Sequence, residues 1–144
     1  MRMDRFTTAA QQVLADAQQA ASSRAHAEVT GLHLLAALLS EKGSAAWSIL
    51  EKAAGAQAAA RAAQVAKSEL DRLPTVSGSS ATPGMGGRAL LEVLTRADQE
   101  ARKLNDAYVS SEHLLLALIE VGGGTGSAKD ILTTIAGVDR NIIC

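Results

Sequence analysis

The groups able to do chemistry in this chain are few, and each fails a spacing test. The run Gly122-Gly123-Gly124-Thr125-Gly126-Ser127-Ala128-Lys129 invites a phosphate-cradling role. That loop needs GxxxxGK followed by Ser or Thr, with a strand in front of it. Here Ala128 precedes Lys129, Asp130 follows it, and the pattern in front is helical. The run therefore reads as a connection between helices, with Ser127 placed to cap the next one. His33 and His113 invite a metal, yet zinc needs converging Cys, His or carboxylate ligands. Neither histidine has one at ligand spacing. They hold the same place in two related apolar runs, so the expectation is a shared fold role, such as a hydrogen bond to a neighbouring helix or loop. Cys144 is the only cysteine, so no intrachain disulfide forms, and its terminal place suits neither a ligand nor a nucleophile.

Asp106 and Glu112 come nearest to paired acids. Acid–base catalysis needs environments that drive two carboxyl groups apart in acidity, and no third partner or shared apolar run does that here. Glu112 falls in the first turn of a predicted helix, where the helix dipole stabilises a carboxylate by about 0.3–1 kcal/mol. The pair suits binding better than catalysis. No catalytic residue, no metal and no cofactor is expected in this chain.

The elements that position these residues are helices. The octet Leu32-His33-Leu34-Leu35-Ala36-Ala37-Leu38-Leu39 is apolar on nearly every side, as a helix surrounded by other helices must be. It is far short of the roughly 20 residues that cross a bilayer. It recurs as Glu112-His113-Leu114-Leu115-Leu116-Ala117-Leu118-Ile119. Aligned without a gap at an offset of 80, residues 9–40 and 89–120 share 13 identities in 32 positions. A match that runs through loops marks an internal duplication. After a two-residue insertion, Ile49-Leu50 and Ala54-Gly55 match Ile131-Leu132 and Ala136-Gly137.

In chain order, Phe6, Ala10, Val13, Leu14, Ala17 and Ala21 share one helical face, with Thr7 or Thr8 as cap. Thr30 caps a second helix, from about Gly31 to Ser40. A third carries Ala46, Ile49, Leu50 and Ala53 and stops at Gly55. A fourth runs from Ala56 to Leu73 and halts at Pro74. Thr75 to Gly87 reads TVSGSSATPGMGG, a flexible Gly/Ser/Pro connection. Leu90, Leu94, Ala97, Ala101 and Leu104 then form a second apolar stripe. The expected organisation is repeat 1 over 1–74, a linker over 75–87 and repeat 2 over 88–144. The last helix is cut short, as in a piece of a longer protein. The fold class is all-α: two pseudo-symmetric four-helix repeats, about eight helices, each repeat with its own small core.

Net charge is −1 with basic and acidic residues interspersed, so nucleic acid is not an expected partner. No apolar segment marks a signal peptide or a membrane span, which points to the cytoplasm. Trp47, Leu91, Val93 and Tyr108 stand off their helical stripes. Clustered, they would make a groove for extended or unfolded segments.

Three stretches carry a family resemblance. Met1-Arg2-Met3-Asp4-Arg5-Phe6-Thr7-Thr8 resembles the opening of bacterial ClpB-type disaggregases. Val109-Ser110-Ser111-Glu112-His113-Leu114-Leu115-Leu116-Ala117-Leu118 resembles the second Clp N-terminal repeat. Leu70-Asp71-Arg72-Leu73-Pro74-Thr75-Val76-Ser77-Gly78 resembles the LxRLPxVxG stretch that closes the first repeat in the ClpB type. The resemblance implies a mobile N-terminal domain of a hexameric ATPase ring with a coiled-coil middle domain. The parent chain would bind ATP, serve the stress response and work with the DnaK system. This domain would engage unfolded or aggregated polypeptides. Thr7, Asp106 and Glu112 match the family's substrate-binding positions. Glu100 and His113 fall in its apolar groove, where relatives can carry Leu, making the groove more polar here. Tyr108, which stands where repeat 1 has Glu28, lies beside them. The rival reading is a docking platform for folded adaptor proteins, as in protease-associated relatives.

Overall fold

The computed structural model describes residues 5–24, 29–40, 44–72, 88–121 and 131–135. The linker 75–87, the glycine run with Ser127, and residues 136–144 lie outside them, and with them the expected domain boundaries and the shortened last helix.

Six α-helices and one π-helical turn are described. Helix α1, Thr8–Ser23, starts where the Thr7 hydroxyl accepts from the Ala10 N–H at 3.1 Å. It buries Leu14 and the small Ala10, Ala17 and Ala21, which let neighbouring helices approach closely. Helix α2, Gly31–Leu38, is buried almost throughout. Helix α3, Ala45–Ala54, is capped by Ser44 and ends at Gly55, whose φ of +98° suits glycine. Helix α4 spans Ala56–Arg72, α5 Arg88–Lys103 and α6 Ser111–Val121. Ile131–Ile135 forms the π-helical turn. The second-repeat counterpart of α3 is thus one short turn among the described residues, still burying Ile131 and Leu132.

The duplication is visible in the packing. Helix α1 lies on α2 as α5 lies on α6, and α2 and α6 meet at the centre. Equivalent positions are buried in both halves: Leu14 and Leu94, Ala17 and Ala97, Ala21 and Ala101, Val29 and Val109. The expectation of two separate cores is corrected. Helix α3 also packs on α6 and α4 on the turn Ile131–Ile135, so both repeats feed one continuous apolar cluster. Sharing the α2–α6 centre gives each repeat a second wall for its core.

The chain start ties the halves together. Phe6 makes a single parallel bridge with Val109: the Val109 N–H donates to the Arg5 carbonyl at 2.7 Å, and the Thr7 N–H to the Val109 carbonyl at 3.0 Å. The Gln11 side chain donates to the Phe6 carbonyl at 2.9 Å.

Three helical-face expectations change. Val93 is buried because Leu90, Val93, Leu94 and Ala97 follow the i, i+3, i+4, i+7 pattern. Trp47 is buried because α3 is walled by both α4 and α6. Leu104 leaves its stripe because α5 ends at Lys103 and the chain turns. Among the described residues no helix is long and apolar enough to cross a membrane.

Candidate functional site

The corner between α5 and α6 is built by a helix stop. Asn105 takes a left-handed φ of +58°. Its N–H donates to the Arg102 carbonyl at 3.1 Å, and the Asp106 N–H to the Ala101 carbonyl at 2.8 Å. That is the Schellman pairing, with Asn in place of the usual Gly. It fixes the Asp106 backbone just beyond α5. The chain then runs to Val109, which is fully buried and held by residues 5–7. With Val109 turned in, its neighbour Tyr108 is turned out, 57 % exposed, and Leu104 is 41 % exposed.

Beyond the corner, His113 caps its own helix. The Ser110 N–H donates to His113 Nδ1 at 2.8 Å, with the Ser110 hydroxyl 3.1 Å from the same nitrogen. Repeat 1 does the same with Thr30 and His33, at 2.9 Å for both contacts. Histidine here fills the place that Glu or Gln takes in a capping box, which is the shared fold role expected of the pair. Because Nδ1 accepts a backbone N–H, the ring proton sits on Nε2. From there it is donated to Asp106 Oδ2 at 2.8 Å.

Ser110, His113 and Asp106 are the residue types of a nucleophilic triad, but the connections are wrong for one. The nitrogen facing Ser110 is already occupied by a backbone donor, so it cannot take the hydroxyl proton. The arrangement holds an acid in place and does not activate a nucleophile.

The six residues expected at a site separate into two layers. Thr7, Asp106, Tyr108 and Glu112 gather at the surface of the corner. Thr7 reaches it through Val109, and Glu112 lies half-buried in the first turn of α6. His113 and Glu100 are buried beneath. Glu100 lies with Arg96 Nε at 3.0 Å and Lys103 Nζ at 3.9 Å, and Arg96 extends to Glu120 at 3.7 Å. Neither Glu100 nor His113 presents its side chain to an incoming ligand in this conformation. The off-stripe apolar residues do not form one cluster. Leu91 lines an open cleft of about 400 Å³ with Val121, Thr95 and Arg96, apart from Tyr108.

One charged residue at the corner has no warning in the motifs. Asp98 accepts from Arg5 Nε at 2.9 Å and from Arg102 Nε at 3.0 Å. Partial burial pushes its carboxyl up, but the two guanidinium groups outweigh that and hold it below its ordinary value. The i, i+4 spacing of Asp98 and Arg102 is legible in the sequence. The partnership with Arg5, at the far end of the chain, is not.

The all-helical fold is thus a pseudo-twofold repeat whose second half carries an unduplicated corner of two acids and an exposed tyrosine. The model of the Clp repeat (R) N-terminal domain matches residues 5–135. The chaperone protein ClpB of Bacillus cereus is 40 % identical over 125 residues, covering 85 % of this chain and 14 % of that protein. The ClpB of Propionibacterium freudenreichii is 39 % identical over 135 residues, 93 % of this chain and 15 % of its own. The crystal structure of the Hsp104 N-terminal domain from Candida albicans superposes with a TM-score of 0.77 at 25 % identity, covering 96 % of this chain and 85 % of that one. The chain belongs to the Clp repeat N-terminal domain family and matches the N-terminal domain of ClpB-type chaperones. It spans 14–15 % of the length of these two curated relatives.

Proposed function

We propose that this domain engages unfolded or aggregated polypeptide at the α5–α6 corner. It would present it to the ATPase ring of a longer, hexameric ClpB-type disaggregase that uses ATP, acts with the DnaK system in the cytoplasm and serves the stress response. The carrying observation is the exposure of Tyr108 on a backbone that is itself fixed. The Schellman turn lies on one side of it and the Phe6–Val109 bridge on the other. An exposed aromatic on a rigid support gives contact area at little ordering cost. Asp106 and Glu112 beside it supply acceptors for a backbone N–H or a basic side chain. Thr7 joins the same edge. The domain itself carries out no turnover in this reading and holds no cofactor. A single such corner binds weakly, and repetition around a ring raises the effective concentration.

The test is a titration of the isolated domain with a reduced, carboxymethylated polypeptide that cannot fold, followed by fluorescence anisotropy. Saturable binding that is weakened by Tyr108→Ala and by Glu112→Gln is expected. No binding at high concentration by a folded domain, or binding indifferent to both substitutions, overturns the reading. Selective binding of one folded adaptor in its place would support the docking-platform alternative.

A further inference from the structure

We infer that His113 is a positioning residue: it does not meet the ligand but aims the Asp106 carboxylate at it. The inference rests on the proposal that the corner binds polypeptide. Four observations converge on it. His113 is 2 % exposed while the Asp106 side chain is 47 % exposed, so only the acid is open to a partner. The cap takes Nδ1, which makes Nε2 an obligatory donor towards Asp106 Oδ2. The Asp106 N–H is already used in closing α5, so the backbone that carries the carboxylate is fixed too. Asp106 Oδ1 has no partner among the described residues.

The carboxylate is therefore divided in two. One oxygen is held by the protein, and the other is offered to a hydrogen-bond donor of an extended polypeptide, a backbone N–H or a basic side chain. Cap and clamp are one side chain. His33 makes the same cap in repeat 1, so the capping role belongs to the duplicated scaffold. In the second repeat the capping side chain, His113, also reaches Asp106. Releasing the carboxylate from its partner restores rotamers that binding must then freeze. That lowers affinity by roughly 2- to 10-fold.

Variants separate the two roles. His113→Glu keeps an acceptor for the Ser110 N–H but brings no donor to Asp106. His113→Gln keeps both, since its amide spaces acceptor and donor much as the imidazole does. Affinity for the carboxymethylated polypeptide is expected to fall roughly 2- to 10-fold in His113→Glu and to stay within about twofold in His113→Gln. Combined with Asp106→Ala, His113→Glu is expected to cost no further affinity, because it acts only through that acid. Equal losses with and without Asp106 would overturn the inference, as would full affinity in His113→Glu. A second readout uses no substitution at His113. The imidazole ¹⁵N spectrum of the unaltered domain is expected to show a protonated Nε2 whose signal shifts as polypeptide is added. An Nε2 signal unmoved at saturation also overturns the inference. If the unaltered domain binds no polypeptide, the functional proposal falls and this falls with it. If it binds while the cycle is additive, this falls alone.

Discussion

Asp98 and Arg5 are joined at 2.9 Å across the seam between the two repeats, and Arg102 takes the other oxygen of the same carboxylate at 3.0 Å. The pair anchors the first described residues onto α5, next to the strand-like contact of Phe6 with Val109. Its stability contribution has a definite pH sign. The folded Asp98 carboxyl lies below its ordinary value, held there by two guanidinium groups against the opposing effect of partial burial. Above about pH 4, the unfolded value, both states are ionised and the contribution is fully present. As pH falls from there through the lowered folded value, the unfolded chain takes the proton first and the contribution is lost. Asp98→Asn is expected to cost about 0.5–1 kcal/mol in urea unfolding at pH 7. The gap to the unsubstituted domain should narrow steadily as pH falls below about 4. A gap that persists or widens there would mean the carboxylate is not what matters.

The shared core predicts a single unfolding transition. Leu35 of α2 and Leu115 of α6 are both fully buried, in equivalent places, within one apolar cluster. Truncating either to Ala should cost about 2–5 kcal/mol. More tellingly, each substitution should shift one common transition seen by far-ultraviolet circular dichroism and by Trp47 fluorescence, which reports from repeat 1. Two separable transitions, with Leu115→Ala moving only the one that Trp47 does not report, would restore the picture of two independent cores.

How far the sequence reaches depends on how far apart the partners are in the chain. The helices are legible because their determinants are local: caps at Thr7 and Thr30, a stop at Gly55, and apolar spacing along α1, α2, α5 and α6. The duplication was legible too, and with it the common role of His33 and His113. The fused core was not, because the contact of α3 with α6 leaves no periodic trace in either helix. The Phe6–Val109 bridge was illegible for the same reason. Trp47 and Val93 stand off stripes that are too narrow, because the helices are walled on more than one side. At the site, Asp106, Tyr108 and Glu112 are close in the chain around the start of α6, while their reading as binding positions comes from the family resemblance and not from spacing. That His113 and Glu100 lie beneath them is a matter of packing, which spacing does not encode.

Glu100 and Arg96 offer an asymmetric test of the buried layer. The Glu100 carboxylate is fully buried with Arg96 Nε at 3.0 Å, while Arg96 is partly exposed and also reaches Glu120. Replacing a buried charge by an apolar residue of similar volume is often neutral or stabilising, whereas removing Arg96 takes away the nearer of the two cations that compensate it, with Lys103 at 3.9 Å left. Glu100→Leu is therefore expected to change stability by less than about 1 kcal/mol, and Arg96→Leu to cost about 2–3 kcal/mol. Urea midpoints of the two variants decide it. Equal losses would show that Glu100 is held by more than its charge partner.

Thr7 serves the scaffold and the corner through different atoms, so its two roles separate experimentally. Its hydroxyl accepts from the Ala10 N–H at 3.1 Å, and its backbone N–H donates to the Val109 carbonyl at 3.0 Å. Thr7→Ala loses the cap and keeps the backbone contact, at an expected cost of about 1 kcal/mol in thermal unfolding. Thr7→Ser keeps the cap and should recover most of that loss. If the hydroxyl also meets polypeptide at the corner, Thr7→Ala weakens binding at temperatures where the variant is still fully folded, and Thr7→Ser restores it. Binding that stays unchanged in the folded Thr7→Ala variant would confine Thr7 to its helix and leave Tyr108, Asp106 and Glu112 as the contacting surface.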